Sequence, residues 1–321
     1  MIYSGQAAID YLAGKVTSAE PGESSHWRKY HSAFRFSGDG FEGLQGFGGS
    51  DKPYQGLRLV VHRLLQRRYR LMGRLFPEFK VIDRWGDEMT TREGRAYDLD
   101  VLRQVCTLAF LRCSSPNALS AYATSCVIGD GFASMTALLL ASHSASRVVL
   151  INLTKTLLVD LWYLKLWMGA EAFESRIDLV TDEEGLQQAL ASSISFDAGW
   201  GGGRVVAIQA SHHKLLKECP VDLALNIVSM QEMDPPVIAA YFDDLRAIAA
   251  QREVVFYCCN REEKTLPDGT VTCFAAYPWH EGDQIFVDEL CPWHQFYYAL
   301  RPPFYRPYDG PIRHRLAILA S

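Results

Sequence analysis

The residues best suited to chemistry lie in one short run, Cys126-Val-Ile-Gly129-Asp130-Gly131-Phe132-Ala133-Ser134-Met135-Thr136, where an apolar stretch breaks at two glycines and a helical pattern follows. Glycines between a strand and a helix let a ligand approach the backbone, and the free N–H groups of the first helical turn then face its polar atoms. That is the local chemistry of a nucleotide-type cofactor site. A second G-x-G-x-x-G spacing, Gly38 to Gly43, fits the dinucleotide pattern better on paper. It follows Phe34-Arg-Phe-Ser rather than a buried strand, and no helix opens after it, so it reads as loop.

Two further strand ends carry polar groups. Arg147–Asn152 ends at Asn152, where dinucleotide folds place an acid on the ribose hydroxyls; Asn152 either bonds a ribose or caps the helix that opens near Lys155. A later strand runs out into Ser229-Met-Gln-Glu-Met-Asp-Pro-Pro236, and the carboxyl end of a strand in an open α/β sheet is the ligand-facing end. Glu232 there either touches substrate or caps the helix that Pro235 and Pro236 begin. Asp243-Asp244 falls inside that helix and reads as solvated.

The elements that must hold these residues follow from periodicity. Strands are expected at Ser125–Ile128, Val148–Asn152, Val205–Gln209, Leu223–Val228 and Val254–Cys258, with helices at Ala133–Ser142, Lys155–Met168, Glu183–Ser192 and Pro236–Ala250. Arg176–Val180 is an extra strand or part of an insertion, and Trp200-Gly-Gly-Gly203 is a loop. The fold class is therefore α/β: a Rossmann-like parallel sheet with helices on both faces, spanning 116–321.

Residues 1–115 lack that rhythm and read as a mainly helical region, a cap, lid or dimerisation element. Leu57, Val60, Val61, Leu64, Leu65, Leu71, Met72 and Leu75 recur at helical spacing and predict a buried stripe. Arg58, Arg63, Arg67, Arg68, Arg70 and Arg74 on the same helix read as its solvated face. A second helix is expected over Asp98–Arg112, and the glycine-rich Ser37–Gly56 ahead of the first is loop. After Asn260 aromatic residues crowd among prolines, as in antiparallel strands that could wall a pocket.

Composition narrows the function classes. The chain has 321 residues, 48% of them hydrophobic and 21% charged, enough for a large core and unlike a disordered or fibrous chain. A net charge of −5 lacks the basic excess that nucleic acid demands. The eight cysteines show no C-x-x-C and no zinc spacing, so no metal is expected, and they read as buried thiols of a reducing, cytoplasmic compartment. The first residues do not resemble a secretory signal, and Leu157–Met168 is interrupted by Asp160 and Lys165, so neither export nor a membrane location is expected.

The Cys126–Thr136 block, Ser229-Met-Gln-Glu-Met233, Tyr257 through Pro267-Asp268-Gly269, Tyr277-Pro-Trp279 and Asp288-Glu-Leu-Cys-Pro-Trp-His294-Gln-Phe together resemble the putative sugar O-methyltransferase family. The resemblance runs from about Ala121 to Tyr298. It implies a class I methyltransferase sheet and S-adenosyl-L-methionine as cofactor, with S-adenosyl-L-homocysteine as product. By that resemblance Gly129, Asp130 and Gly131 lie beside the methionine part, Asn152 and Leu153 at the ribose, Gln209, Ala210 and Ser211 near the adenine, and Asn226 at the sulfonium. Val127 and Asn152 depart from the broader pattern, which has acids at both places.

Methyl transfer to a hydroxyl needs in-line placement of the acceptor and a base for its proton. Glu232 and His294 are the first candidates and His212 the next; His213 and His280 remain open. Gln231, Tyr277, Trp279, Trp293 and Tyr298 are expected to contact a small, sugar-like acceptor, the aromatic rings either stacking on it or simply packing. The partners expected are that small molecule and a second copy of the chain, with neither nucleic acid nor membrane. A nicotinamide-dependent oxidoreductase and a non-catalytic relative of the methyltransferases are the competing readings.

Overall fold

The apolar runs of the second half form the middle of a nine-stranded sheet in the computed structural model, which describes residues 1–16, 20–47, 49–193 and 203–321. The strands are β1 (Ile2–Ser4), β2 (Thr124–Ile128), β3 (Arg147–Asn152), β4 (Ile177–Val180), β5 (Arg204–Gln209), β6 (Leu223–Ile227), β7 (Val255–Arg261), β8 (Gln284–Leu290) and β9 (Ile312–Ile318). Their order is β1-β4-β5-β3-β2-β6-β7-β9-β8. Strands β2 to β7 pair in parallel, whereas β1, β8 and β9 each run antiparallel to the neighbour they join. The chain lays β3, β4 and β5 on one side of β2 and then β6 and β7 on the other. The order therefore reverses at β2, and a crevice opens above the carboxyl ends of β2, β3 and β6.

The helices are α1 (Gln6–Ala13), α2 (Ser25–His31), α3 (Gly56–Gly73), α4 (Phe79–Glu93), α5 (Leu99–Ser114), α6 (Ser134–Ala141), α7 (Thr154–Met168), α8 (Ala170–Arg176), α9 (Glu183–Ala191) and α10 (Pro235–Ala249). Alternation along each strand divides the core between two faces. Val127, Val148, Leu150, Val205 and Tyr257 meet α4, α5, α6 and α7 on one face. Cys126, Ile128, Val149, Ile151 and Phe256 meet α9 and α10 on the other. Asp98 caps α5 by accepting from the Asp100 and Val101 N–H groups, which starts that helix beside the crevice mouth.

The expected strands and helices fall within two residues of those observed, except that β7 runs on to Arg261. The loop expected at Trp200-Gly-Gly-Gly203 lies outside the described residues up to 202. Three readings need correction. Most of the stripe on α3 is solvent-facing: Leu57, Val60, Leu64 and Leu71 are exposed, and of the expected residues Leu65 is buried, on the side that His62, Gln66, Tyr69 and Gly73 form. Periodicity finds a stripe but not its direction, and α5 takes the opposite face. Asp244 is buried, not solvated, and pairs with His213 and Lys217. Of the cysteines, all unpaired, Cys113 is exposed.

The N-terminal region also gives the sheet an edge strand, β1, three residues long and too short for any pattern to reveal. Arg35–Phe36, just ahead of the glycine-rich stretch, pairs with Phe41–Glu42 inside it as a small hairpin. Among the described residues no helix is long and apolar enough to cross a membrane.

Candidate active site

The turn after β2 is built to lie flat. Gly129, Gly131 and Ala133 all take positive φ, at 76°, 95° and 51°. A Cβ on Gly129 would stand 2.0 Å from the Ser229 Oγ, so only glycine fits there. The turn is tied down from both sides. The Asp130 carboxylate accepts from the Met135 and Thr136 N–H groups at 3.0 and 2.7 Å, holding the start of α6, and the Asp160 carboxyl on α7 accepts from Ala133 N–H at 2.9 Å. Asp160 is fully buried, and that burial with the charge of Asp130 pushes its proton affinity well up. On the neighbouring strand end Val228, β-branched, is also left-handed at φ 60°. Such strain is held where a chain must turn sharply at a site.

Two connected hollows fill the crevice, with cavity volumes of about 160 and 270 Å3, together on the scale of a small-ligand cleft. The smaller is bounded by Gly129, Asp130, Gly131, Arg95, Asp98 and His294. The larger is bounded by Leu153, Ala210, Ser211, Met233, Val237 and Tyr241. Trp27, Asn152, Ser229 and Glu232 border both. Glu232 thus stands at the junction.

Its electrostatics are set by residues far off in the chain. Lys264 Nζ donates to Glu232 Oε1 at 2.7 Å, and His26 Nε2 lies 3.3 Å from the same oxygen. Burial pushes this carboxyl up, but the His26 hydrogen bond and the Lys264 charge outweigh it and hold Glu232 below the ordinary carboxyl range. It is ionised at neutral pH. The segment bearing His26 crosses the crevice and is pinned at several points: Ser24 Oγ donates to the Glu232 carbonyl at 2.5 Å, and Glu20 Oε2 accepts from Thr154 N–H at 2.6 Å at the start of α7.

Arg95 brings the opposite charge. It is 3% exposed, ion-paired with Glu93, and donates to Ser134 Oγ at 2.6 Å in the wall of the smaller hollow. Burial raises Glu93 to about 7 against the pull of Arg95. Asp98, raised to about 6 by burial and by the charge of Asp100, holds Ser50 N–H at 2.7 Å. A third, wider hollow shares Gly49, Asp98, Asp100, Arg103 and Tyr308 with the smallest one and reaches Tyr298 and Arg261. The Tyr298 hydroxyl bonds His62 Nδ1 at 2.9 Å.

Of the residues expected at a site, Gly129, Asp130, Gly131, Asn152, Leu153, Ala210, Ser211, Glu232, His294 and Tyr298 border these hollows. The others stand elsewhere. Asn226 is engaged by the Ile128 carbonyl, Met230 N–H and Asn260. Gln231 is held by Arg261 N–H, and Gln209 by Thr154 Oγ1. Asn152 donates to Asp160 at 2.9 Å and accepts from Leu153 N–H, so it does not cap α7. His212 bonds Ser211 beside the larger hollow, whose wall takes His213 instead. Tyr277 and Trp279 pack with Phe242 under α10 on one sheet face; Trp293 packs with Phe76 and Phe110 on the other and donates to Thr107. Sequence reasoning missed Trp27, His26, Arg95 and Lys264. Only Lys264 fell within a recognised block, and nothing local marked the other three.

No family model matches the chain, and no curated protein does. Among solved structures, a mutant of MtNAS in complex with S-adenosylmethionine aligns over 98% of this chain and 97% of its own, at 10% identity and a TM-score of 0.36. An O-methyltransferase family protein from Burkholderia thailandensis aligns over 92% and 82%, at 10% identity and a TM-score of 0.30. The methyltransferase CalO6 aligns over 61% and 57%, at 11% and 0.28. These are distant likenesses, and the chemistry of the crevice is read from the chain's own geometry.

Proposed function

We propose that the protein is an S-adenosylmethionine-dependent O-methyltransferase acting on a hydroxyl of a sugar or glycosylated small molecule. The observation that carries this is the order of groups along one crevice. A buried cation, Arg95, stands by the Gly129–Gly131 turn; an anion, Glu232, stands at the junction; an apolar hollow lies beyond. A ligand with a carboxylate, a sulfonium and an adenosine in that sequence finds a matching partner at each step.

Arg95 would hold the carboxylate, the glycine turn the methionine chain, and Leu153, Met233 and Tyr241 the adenine, with Ala210 and Ser211 at its edge. The donor, when bound, supplies a methyl group on a positively charged sulfur. The chain's task is to bring an acceptor oxygen behind that methyl and to take its proton. Glu232 is placed for the second role: it borders both hollows and is ionised, a weak base because Lys264 and His26 hold its proton affinity down. His294 suits it less, because it borders only one of the two hollows; burial, then the charges of Arg103 and His314, drive its proton affinity well down as well. The third hollow, with Tyr298 and Tyr308 beside Asp98, Asp100 and Arg103, offers ring faces and hydrogen-bonding charges to a sugar-like acceptor.

Calorimetry tests the reading. S-adenosylhomocysteine and S-adenosylmethionine should bind one per chain, and NAD should not. No heat at millimolar donor, with NAD bound instead, would reject it.

A further inference from the structure

At the wall of the smallest hollow, where His294 stands, three metal-binding groups meet. Cys259 lies on β7, Cys291 directly follows β8, and His294 sits one turn on, its N–H donating to the Cys291 carbonyl at 3.1 Å. Both cysteines are fully buried and His294 nearly so. Their ligand atoms all lie within 4.8 Å of one another. Tyr257, two residues before Cys259 on the same face of β7, brings its hydroxyl beside both thiols and bonds His314 Nδ1 at 3.1 Å.

One feature separates this cluster from thiols that merely pack. Neither Nδ1 nor Nε2 of His294 has a hydrogen-bond partner, although both are shut away from solvent. Buried polar atoms are almost always paired, and an orphaned imidazole facing two sulfurs points to an ion. The donor set is soft: two sulfurs and one nitrogen select zinc-class cations over magnesium or calcium.

We propose that Cys259, Cys291 and His294 bind one zinc-class divalent cation. On binding, two metal–sulfur bonds and one metal–nitrogen bond form, and the two thiol protons leave to solvent. Two thiolates and a dication sum to zero charge, which suits a dry site near the Arg103 guanidinium. Three protein ligands leave a fourth position, as in zinc sites that take an exchangeable oxygen ligand, and His294 is the ligand that borders the crevice. The site goes beyond methyl transfer, and it removes His294 from the role of free base.

The test uses the full chain, stripped of metal under reducing conditions and reloaded with zinc or, as a spectroscopic probe, cobalt(II). After desalting, elemental analysis should find one zinc per chain, and cobalt should give a thiolate-to-metal charge-transfer band. Zinc should shield Cys259 and Cys291 from alkylation, read by mass spectrometry. Cys259→Ser and Cys291→Ser should each weaken metal affinity at least tenfold, while Cys113→Ser, at the exposed thiol, leaves it unchanged. Circular dichroism shows whether the serine variants fold, and the wild-type cobalt spectrum and alkylation map stand without them. Metal uptake equal in wild type and Cys291→Ser, or no charge-transfer band and no shielding, overturns the proposal. So does a Cys259–Cys291 disulfide that, once reduced, still takes up no zinc. Titration with S-adenosylhomocysteine in the same samples reports separately on the proposed function.

Discussion

The floor and the roof of the crevice use polar side chains in opposite ways. On the floor, the strand ends carry Asp130, Asn152, Gln209 and Asn226, and the structure commits all four to backbone or neighbouring side chains. They fix the shape of the turns. The roof comes from outside the sheet: Trp27 and His26 from the N-terminal segment, Arg95 and Asp98 ahead of α5, and Lys264 from the hairpin after β7 in which Glu263–Thr265 pairs with Val271–Cys273. Arg95 brings a buried cation from there, and Lys264 and His26 close from there on Glu232, which stands just past the end of β6. A sheet thus supplies a rigid slot, and distant loops supply what a ligand would feel.

Breaking the floor should have the largest effect. Gly129→Ala must displace Ser229 and hold alanine at positive φ, a strain of about 1–2 kcal/mol before any clash. Donor affinity should fall about 100-fold, an amount worth ~2.7 kcal/mol, and binding within a few-fold of wild type would show that the turn does not touch the ligand.

At the junction, Glu232→Gln should lower turnover by about 10²-fold. S-adenosylhomocysteine, which has no charge on sulfur, should bind almost as before. Unchanged turnover clears Glu232 of the proton-accepting role.

On the roof, Arg95→Met leaves Glu93 buried without its partner, which costs about 3–5 kcal/mol of stability. The double variant Glu93→Gln/Arg95→Met should recover most of that in thermal unfolding, yet bind donor more weakly by about tenfold, roughly one charge-assisted hydrogen bond. Full recovery of affinity as well would leave Arg95 a purely structural cation.

The smallest effect is a shift in pH profile. Glu232 is depressed below the ordinary carboxyl range, so its pairing contributes stability above that range and loses it as pH falls through the depressed value. Turnover should likewise be flat at neutral pH and fall only on the acid side. Lys264→Met removes a charge that favours the carboxylate, so the acid limb should begin at a higher pH. An unmoved limb would mean another group titrates.

The same division explains which parts of the molecule are legible in the sequence. Strand ends are legible because β2, β3 and β6 are short apolar runs closed by glycines or polar clusters, a local signal. The aromatic segment is not, because its rings part company in the fold: Tyr277 and Trp279 go to one sheet face, Trp293 to the other, and Tyr298 to the third hollow. Composition gives aromatic residues but not the face they pack on. Likewise the exposed stripe on α3 has the period of a buried one, and only the docking of α5 decides which side is inside. Arg95 and His26 meet the crevice from long sequence separations, with nothing local to mark them.

The most direct measurement is a crystal structure of the wild-type chain soaked with S-adenosylhomocysteine. The adenine should lie between Leu153, Met233 and Tyr241, the sulfur at the junction near Glu232, and the carboxylate against Arg95. Density for the ligand outside the crevice, or in it with the ends reversed so that the carboxylate meets Tyr241, would contradict the account.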